Sequence, residues 1–473
     1  MAVPIRNISS PGYTDDQQFK TDTRAMSVAT GLFFMVGFLT CLNDIVIPHL
    51  KGIFDLNYAE AMSVQFAFFT SYAVFSYPSG ALVEKYGYKK TMVIGLLVMA
   101  LGAAGFIPAA KLAVFGIFLA ALIILAAGMT VVQVAVNPYV TVIGPAATAS
   151  SRLNLAQAFN SFGTFIAPFL GGLVILGGAT ELTPANMHAL SAVKLQAYRE
   201  FQAHSVILPY LGMALVLVLL AIALASIHLK PRTSVAERTQ DFRPGAFAEA
   251  LTKRDSIWHR PWLLGGAAGI FTYVGAEVTI GSLLVLYMGL PQIAGIREST
   301  AAEFLMVYWG GAMVGRFVGS AILQWVNTGK LLALNAIVAL ILVIVSMLSK
   351  TGGAISIIPV HLFHLSWSLV IPHSWPMWTL LAVGLFNSIM FPSIFTLGIQ
   401  DLGPLTSKGS SLMIAAIVGG AIIPEASGKL ADIIGLHHAF IITALCYVYI
   451  AAYGIANIRR PSGSDTLLPV EPV

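Results

Sequence analysis

The sequence predicts an all-α, polytopic membrane protein whose twelve transmembrane helices form two bundles of six. Three observations support this fold class: the composition, the length of the apolar runs and a repeat between the two halves of the chain. Of the 473 residues, 57% are hydrophobic and only 10% are charged, whereas a soluble globular chain carries about 25% charged residues. The two cysteines, Cys41 and Cys446, fall inside apolar runs, which excludes a disulfide framework and a cysteine metal site.

Twelve apolar runs are long enough to cross a bilayer, for which about 20 mostly apolar residues are needed. They lie near residues 27–54, 60–83, 91–110, 112–143, 155–178, 205–229, 262–290, 301–326, 331–349, 376–400, 409–434 and 437–457. An even number of spans places both termini on one side, and the bias of Lys and Arg among the loops makes that side the cytoplasm. The net charge of +5 therefore indicates membrane topology and not nucleic-acid binding.

The spans divide the chain into two similar units. We predict a cytoplasmic tail at 1–25, a first bundle at 26–229, a basic cytoplasmic linker at 230–261, a second bundle at 262–457 and a cytoplasmic tail at 458–473. One segment, 351–375, is apolar but interrupted by prolines. A thirteenth span there would move Arg459 and Arg460 to the outside, against the charge bias, so we predict an outer loop that lies on the membrane interface.

The order of several features is the same in both halves. Asn137-Pro138, Gly144-Pro145 and Arg152 in the first half correspond to Phe391-Pro392, Gly403-Pro404 and Lys408 in the second, and Gly80 through Lys90 correspond to Gly319 through Lys330. Two similar bundles that face each other across a cleft are expected of a carrier with alternating access and a substrate site near the midplane. We assign Gly80, Lys90 and Arg316 to gating, with Arg316 in a turn-like segment near the cytoplasmic end of the eighth span.

Ionisable residues inside spans are costly and indicate functional sites. Asp44 follows Asn43 in the first span and lies ten residues before Phe54, so ~15 Å of helix separates it from the outer end. A carboxylate at that depth must be protonated, paired or bound to a cation. We predict that Asp44 couples transport to a cation and is the one candidate metal ligand. The alternative is a structural hydrogen bond to a neighbouring helix.

Amides and hydroxyls form one face on each of two adjacent spans. These are Thr130, Gln133, Asn137 and Thr141 on the fourth span, and Asn154, Gln157, Asn160 and Thr164 on the fifth. Such residues can join helices, but amides both donate and accept hydrogen bonds, as a polyol substrate requires. Two full stripes favour a water-filled cavity. The predicted substrate-binding residues are Asn43, Gln133, Asn137, Gln157, Asn160, Tyr273, Glu277, Ser282 and Asn387.

These residues resemble a known family. The stretches LNDIVIPHLK (42–51), NPYVTVIGP (137–145), RLNLAQAFNSFG (152–163), YVGAEVTIGS (273–282), GRFVGS (315–320) and NSIMFPSIFTLGIQDLG (387–403) are similar to the major facilitator superfamily. Within it they resemble the branch that contains the bacterial fucose–proton symporter and the glucose/galactose transporters. Glu277 in YVGAE resembles the glucose/galactose members, since the fucose carrier has an amide there.

The resemblance implies uptake of a neutral, glucose- or galactose-like monosaccharide by cation symport. It also implies a monomer in the lipid bilayer of the bacterial inner membrane, with no cofactor. In the fucose carrier the carboxylate that matches Asp44 works with a second carboxylate on the fourth span, where this sequence has Gln133. Three alternatives follow: Asp44 alone carries a proton, Glu277 shares that task, or the region of Asp44 with Asn43 and Gln133 binds Na⁺.

Two other function classes are less compatible with the residues. A multidrug or other small-solute antiporter of the same fold would favour an aromatic and apolar site, whereas this one is rich in amides. An intramembrane enzyme would need a catalytic signature, and the spans contain no HExxH, GxSxG or paired-Asp motif. We therefore predict a transporter and not an enzyme.

Overall fold

A computed structural model describes the backbone of residues 21–54, 58–112, 114–171, 207–227, 256–296, 298–349, 355–362 and 365–460. It describes the side chains of the same residues, except those of 41–65, 168–171, 298–299, 302 and 355–372. Most of the predicted linker and both predicted tails lie outside this part of the chain.

The described residues form a bundle of helices with one short hairpin. The elements are α1 (Thr23–Phe54), α2 (Tyr58–Leu112), α3 (Phe115–Val142), α4 (Ala149–Gly171), α5 (Ile207–Ser226), α6 (Pro261–Gly289), α7 (Glu298–Ile322), α8 (Thr328–Leu348), β1 (Ile355–Leu362), β2 (Leu365–Pro372), α9 (Trp375–Asn387), α10 (Met390–Ile399), α11 (Thr406–Ala415), α12 (Gly419–Ile434), α13 (Leu436–Ala439) and α14 (Ile441–Ile458). Short 3₁₀ turns at Ala146–Thr148, Ile257–His259, Gly403–Leu405 and Ala416–Val418 precede or join them.

The helices correspond to the predicted spans. Among the described residues, ten helical stretches are long and apolar enough to cross a membrane. Three of them each join two of the helices named above: α9 with α10, α11 with α12, and α13 with α14. The longest, α2, bends at Gly87, whose φ of 75° and ψ of 170° are not helical, so its two arms are the second and third spans. Together with α4, these helices match the twelve apolar runs of the sequence, and the fold class is confirmed.

The pairing of helices follows the internal repeat. In the first half α1 packs on α4, and α2 packs on α3 and α5; in the second half α6 packs on α12, and α8 packs on α9 and α14. The halves meet where α4 packs on α7 and where α2 packs on α11. These two contacts join equivalent elements of the repeat in reciprocal order, as two similar bundles related by a rotation would.

The segment predicted as an interfacial loop forms a β-hairpin. β1 pairs antiparallel with β2, from Ile355 opposite Pro372 to Leu362 opposite Leu365. Ile and Val favour strands, and pairing of the two strands gives their backbone N–H and C=O groups partners. Pro359, opposite Ser368, is tolerated because both strands of a two-stranded sheet are edge strands. The prediction missed these strands.

Arg152 closes the turn between α3 and α4. Its side chain is buried and donates hydrogen bonds to the carbonyl oxygens of Val140 (3.1 Å), Thr141 (2.8 Å) and Pro145 (2.8 Å), and to the hydroxyl of Thr148 (2.7 Å). Carbonyls at the C-terminal end of a helix have no partner inside the helix. Arg152 therefore caps α3 and holds the polar faces of α3 and α4 in register.

Replacement of Arg152 by Met should destabilise the fold strongly. Hydrogen bonds to charged groups contribute about 1.5–3 kcal/mol each, so we expect the free energy of unfolding to fall by more than about 3 kcal/mol. Unfolding in mixed micelles by titration with a denaturing detergent measures this change. Lys330→Met is the matched control, because Lys330 is exposed at the start of α8. Equal stability of the two variants would contradict the capping role.

Candidate functional site

Glycines bring the polar face of α4 against α1. An added Cβ at Gly37 would overlap the carbonyl oxygen of Asn160, and one at Gly163 would overlap that of Phe34. The Asn160 side chain donates to the carbonyl oxygen of Phe33 at 3.0 Å, and the Thr164 hydroxyl donates to that of Gly37 at 3.2 Å. Small residues allow such close approach between membrane helices. Part of the α4 stripe therefore fastens helices together.

The α3 stripe contains one half-buried and one fully buried amide. Gln133 is half-buried and donates through Nε2 to the Tyr72 hydroxyl at 3.1 Å, which joins α3 to α2. Asn137 is fully buried; its Nδ2 donates to the Gln133 backbone carbonyl at 2.8 Å, and its Oδ1 has no hydrogen-bond partner among the described residues. Gln157 on α4 is 9% exposed. Of these predicted substrate contacts, Gln133 is the most accessible.

A buried ion pair lies in the second half and reaches the first. Arg316 Nη2 lies 3.4 Å from Glu277 Oε1, and the Tyr273 hydroxyl donates to the same oxygen at 2.7 Å. Arg316 Nε donates to the Ser388 carbonyl oxygen at 3.1 Å, while Nη1 donates to the hydroxyl of Ser161 on α4. The side chains of Arg316 and Glu277 are 11% and 13% exposed, so neither is completely buried.

The predicted setting of Arg316 was wrong. Gly315, Arg316 and Gly319 do not form a turn-like segment; all three lie within the continuous helix α7. An added Cβ at Gly315 would overlap the Ser388 side chain, and one at Gly319 would overlap that of Ile389. These glycines let α7 approach the junction of α9 and α10, which puts Arg316 within reach of the Ser388 carbonyl.

Asn387 lies behind Glu277. Its Nδ2 donates to the Tyr308 hydroxyl at 2.9 Å, and the Tyr447 hydroxyl donates to its Oδ1 at 2.7 Å. All three residues are fully buried, and the Tyr308 hydroxyl also lies 3.4 Å from the backbone carbonyl of Glu277. Asn387 thus uses both polar ends within the second half and is not at a cavity surface. Ser282 is exposed on α6, five positions after Glu277.

Asn43 and Asp44 lie in α1, whose backbone continues to Phe54 as the sequence predicted. Their side chains fall outside the described residues. Among the residues that are described, no group of three or more His, Cys, Asp and Glu side chains could hold a metal ion.

Serine and threonine hydroxyls join the two halves at the end of the bundle that carries the basic residues Lys85, Lys330 and Lys408. We call this group the hydroxyl seam; it comprises Ser150, Ser151, Ser320, Thr328, Thr396, Ser407, Ser410 and Ser411. Between α4 and the second half, the Ser150 and Thr396 hydroxyls share a hydrogen bond of 2.6 Å, and Thr328 donates to Ser150 at 3.0 Å. Ser151 and Ser320 each donate to the other's carbonyl oxygen, at 2.7 and 3.1 Å.

The other side of the seam joins α11 to the first half. The Ser407 hydroxyl donates to the carbonyl oxygen of Gly80 at 3.2 Å, and that of Ser410 donates to Val134 at 2.9 Å. An added Cβ at Gly80 would overlap the hydroxyl of Ser411. Gly80 thus lies at the contact between the halves, whereas Lys90 is exposed beyond the bend in α2.

Comparison with known proteins agrees with this architecture. The Major Facilitator Superfamily profile matches residues 28–403. The chain belongs to the major facilitator superfamily. This facilitator is 45% identical to the glucose/galactose transporter of Brucella abortus over 97% of its own length and 99% of that protein, and 33% identical to the L-fucose-proton symporter of Escherichia coli over 92% of each chain.

A solved structure shares the fold. The facilitator superposes on a crystal structure of the transporter FucP in the outward conformation with a TM-score of 0.78 and 30% identity, covering 91% of this chain and 98% of that one. The resemblance stated from sequence motifs is therefore confirmed, as is a multi-pass membrane location. Its named relatives are transporters, in agreement with the prediction that the chain is not an enzyme.

Sequence reasoning missed the serines that join the halves of this facilitator. Ser161 and the hydroxyl seam were not among the predicted site residues. One signal was present: by the offset that relates Arg152 to Lys408, Ser151 corresponds to Ser407, and both donate to a carbonyl of the other half. A serine repeated at equivalent positions near span ends was thus detectable, but its partner was not.

Proposed function

We propose that this protein imports a neutral, glucose- or galactose-like hexose together with a proton. The observation that carries the proposal is the Glu277–Arg316 pair, which lies inside the helix bundle, keeps limited exposure and contacts Ser161 of the opposite half. An intramembrane ionisable pair indicates a substrate or ion pathway. The names of the similar proteins, a glucose/galactose transporter and an L-fucose-proton symporter, support a sugar as the substrate and a proton as the coupling ion.

The proposed sugar site lies between the halves. Gln133, Gln157 and Asn160 of the first half and Tyr273 and Glu277 of the second supply hydrogen-bond donors and acceptors for hydroxyls. Asn43 and Ser282 remain proposed contacts. The burial of Asn137 and Asn387 favours a positioning role for both: Asn387 uses both ends of its amide within its own bundle, and Asn137 donates through Nδ2 to the Gln133 carbonyl of its own helix.

Asp44 is the proposed proton carrier, with Glu277 as a second carboxylate from the opposite half. Gln133 cannot bind and release a proton, so the first half offers no second carboxylate at that position. Glu277 has a cationic neighbour and a hydroxyl donor that stabilise its charged form. A proton on Glu277 would remove the negative charge that faces Arg316. Because Arg316 also contacts Ser161 of the opposite half, the charge of Glu277 would then affect the contact between the halves.

Both termini are proposed to be cytoplasmic, as the loop charges predict, and the protein to act as a monomer in the bacterial inner membrane. The hydroxyl seam would then close the cytoplasmic end. Similarity to FucP in its outward conformation supports the view that this is the outward-facing state. Gly80, at the seam, is the proposed gating residue with the strongest structural support.

Uptake into proteoliposomes tests the function and the coupling ion together. We expect labelled glucose or galactose to accumulate under an imposed proton gradient, and a Na⁺ gradient alone to drive none, because one named relative is a proton symporter. Accumulation with Na⁺ alone would contradict proton coupling and move Asp44 to a metal site. Absence of uptake of every tested hexose under both gradients would contradict the function itself.

A further inference from the structure

We propose that Arg316 binds a hydroxyl of the transported sugar and that the Ser161 hydroxyl occupies its place in the empty carrier. The inference deepens the proposed function and rests on it. It assigns Arg316 a substrate contact in place of the gating role predicted from sequence. It makes Ser161 an internal competitor of the substrate and not a contact to it.

The guanidinium of Arg316 divides its donors among three kinds of partner. One nitrogen meets the carboxylate of Glu277, one meets the backbone carbonyl of Ser388, and Nη1 meets the hydroxyl of Ser161. The first two partners belong to the same half as Arg316 and hold its side chain in place. The third is a primary alcohol from the opposite half, chemically equivalent to a hydroxyl of a sugar.

Ser161 can release Arg316 without leaving its own hydroxyl unsatisfied. Its Oγ lies 3.2 Å from the backbone carbonyl oxygen of Gln157, one turn earlier on α4, and serine hydroxyls commonly bond to such carbonyls within helices. Loss of the bond to Arg316 therefore exposes no unpaired donor on Ser161. After that bond is lost, Arg316 Nη1 is free to donate a hydrogen bond to a sugar hydroxyl.

Arg316, a hydrogen-bond donor, and Glu277, a hydrogen-bond acceptor, lie next to each other. A sugar hydroxyl accepts one hydrogen bond and donates another, so its oxygen would accept from Arg316 while its proton is donated to Glu277. The present Arg316–Glu277 separation of 3.4 Å is longer than the usual 2.7–3.2 Å of an N–H···O bond. Both side chains keep some exposure, which a ligand requires to reach them.

Binding of sugars to the purified, full-length carrier tests the proposal. The probes are D-glucose, D-galactose and the 2-, 3-, 4- and 6-deoxy derivatives of glucose, and calorimetry in nanodiscs gives each Kd. The variants are Ser161→Ala and Arg316→Lys, which keeps the positive charge beside Glu277. Ser76→Ala is the matched control, because Ser76 is a fully buried serine of the first half that bonds to the Ala73 carbonyl of its own helix.

We expect opposite effects from the two variants. Ser161→Ala removes the competitor, so glucose should bind about three- to tenfold more tightly, as expected for one net hydrogen bond. Arg316→Lys should weaken glucose binding about tenfold. One deoxyglucose that the wild type binds more weakly than glucose should bind to Arg316→Lys as tightly as glucose does. Ser76→Ala should change neither quantity.

Two results would contradict the inference and leave the proposed function intact. Weaker glucose binding by Ser161→Ala would make Ser161 a direct sugar contact. A set of deoxy-sugar penalties unchanged in Arg316→Lys would show that Arg316 touches no sugar hydroxyl. Failure of the wild-type protein to bind any of the sugars would instead overturn the proposed function, and the inference with it. If Arg316→Lys does not fold, as judged by size-exclusion chromatography, the direction of the Ser161→Ala effect decides.

Discussion

Replacement of Asp44 by Asn is expected to abolish accumulation of sugar against its gradient while sugar exchange continues. Asn matches Asp in size and retains hydrogen bonding, but it cannot bind and release a proton. Coupling requires that ion and sugar each favour the bound state of the other, by a reciprocal free energy of about 1–3 kcal/mol. Proteoliposomes loaded with unlabelled sugar measure exchange, and empty proteoliposomes under a proton gradient measure accumulation.

Two further variants locate the coupling site. Asp432→Asn is the matched control, since Asp432 is an exposed carboxylate of α12, and it should transport like the wild type. Glu277→Gln separates the alternatives for the second carboxylate when accumulation is compared with exchange, because Glu277 is also a proposed sugar contact. If Glu277 shares the proton, accumulation is lost while exchange continues; if Asp44 acts alone, accumulation and exchange change in the same proportion. Continued concentration of sugar by Asp44→Asn would show that Asp44 is structural.

Replacement of Gly80 by Ala is expected to open the hydroxyl seam. The added Cβ would overlap the Ser411 hydroxyl, and it lies beside the Gly80 carbonyl that accepts from Ser407. Overpacking of this kind costs typically about 1–3 kcal/mol, and only the state in which the halves touch at Gly80 bears that cost. The ratio of closed-seam to open-seam protein should therefore fall by about 5- to 150-fold.

Thiol accessibility reports this shift. In a protein whose two natural cysteines are replaced by Ala, a cysteine at Ser320, which is buried in the seam, should be protected from a water-soluble maleimide and should react once Gly80→Ala is added. Ser411→Gly in the same chain should restore protection by removing the overlap. Gly31→Ala is the control, because nothing lies within 4 Å of an added Cβ there. Equal reactivity with and without Gly80→Ala would contradict the gating role.

The predicted spans agree with the helices because burial in lipid acts on each segment separately. A run of about 20 apolar residues must form its backbone hydrogen bonds within itself, so the ends of α3 and α6 fall within a few residues of their predicted bounds. The segment 355–372 has no comparable signal. A hairpin differs from an interfacial loop only in the hydrogen bonds between its two strands, such as those that pair the region of Ile355 with that of Pro372, and the hydropathy of the segment does not reveal that pairing.

The candidate site was predictable only where its residues share a helix. Tyr273 and Glu277 are four residues apart, and their hydrogen bond of 2.7 Å follows from helical spacing. The partner of Glu277 on another helix could not be found this way, because the distance between Arg316 and Glu277 depends on how α6 and α7 pack. Arg316 was instead assigned to a gate, from the glycines beside it and its place near the end of its span.

The repeat shows the same limit. Arg152 and Lys408 occupy equivalent positions, yet Arg152 caps α3 while Lys408 is exposed, 4.0 Å from Glu84. In the second half a cap on α10 comes instead from Arg460, which donates to the carbonyls of Leu397 and Gln400. Equivalent sequence positions therefore do not have equivalent contacts.

The sequence by itself determined the membrane class, the number of spans, the duplication and the family, because hydropathy, loop charge and motifs are properties of contiguous residues. Only the tertiary structure decided that Asn387 lies behind Glu277, that Arg316 pairs with Glu277 and contacts Ser161, and that serine and threonine hydroxyls join the two halves at the hydroxyl seam. Each of these depends on side chains that come from different helices. Their approach is set by glycine contacts and helix packing, which a linear pattern does not encode.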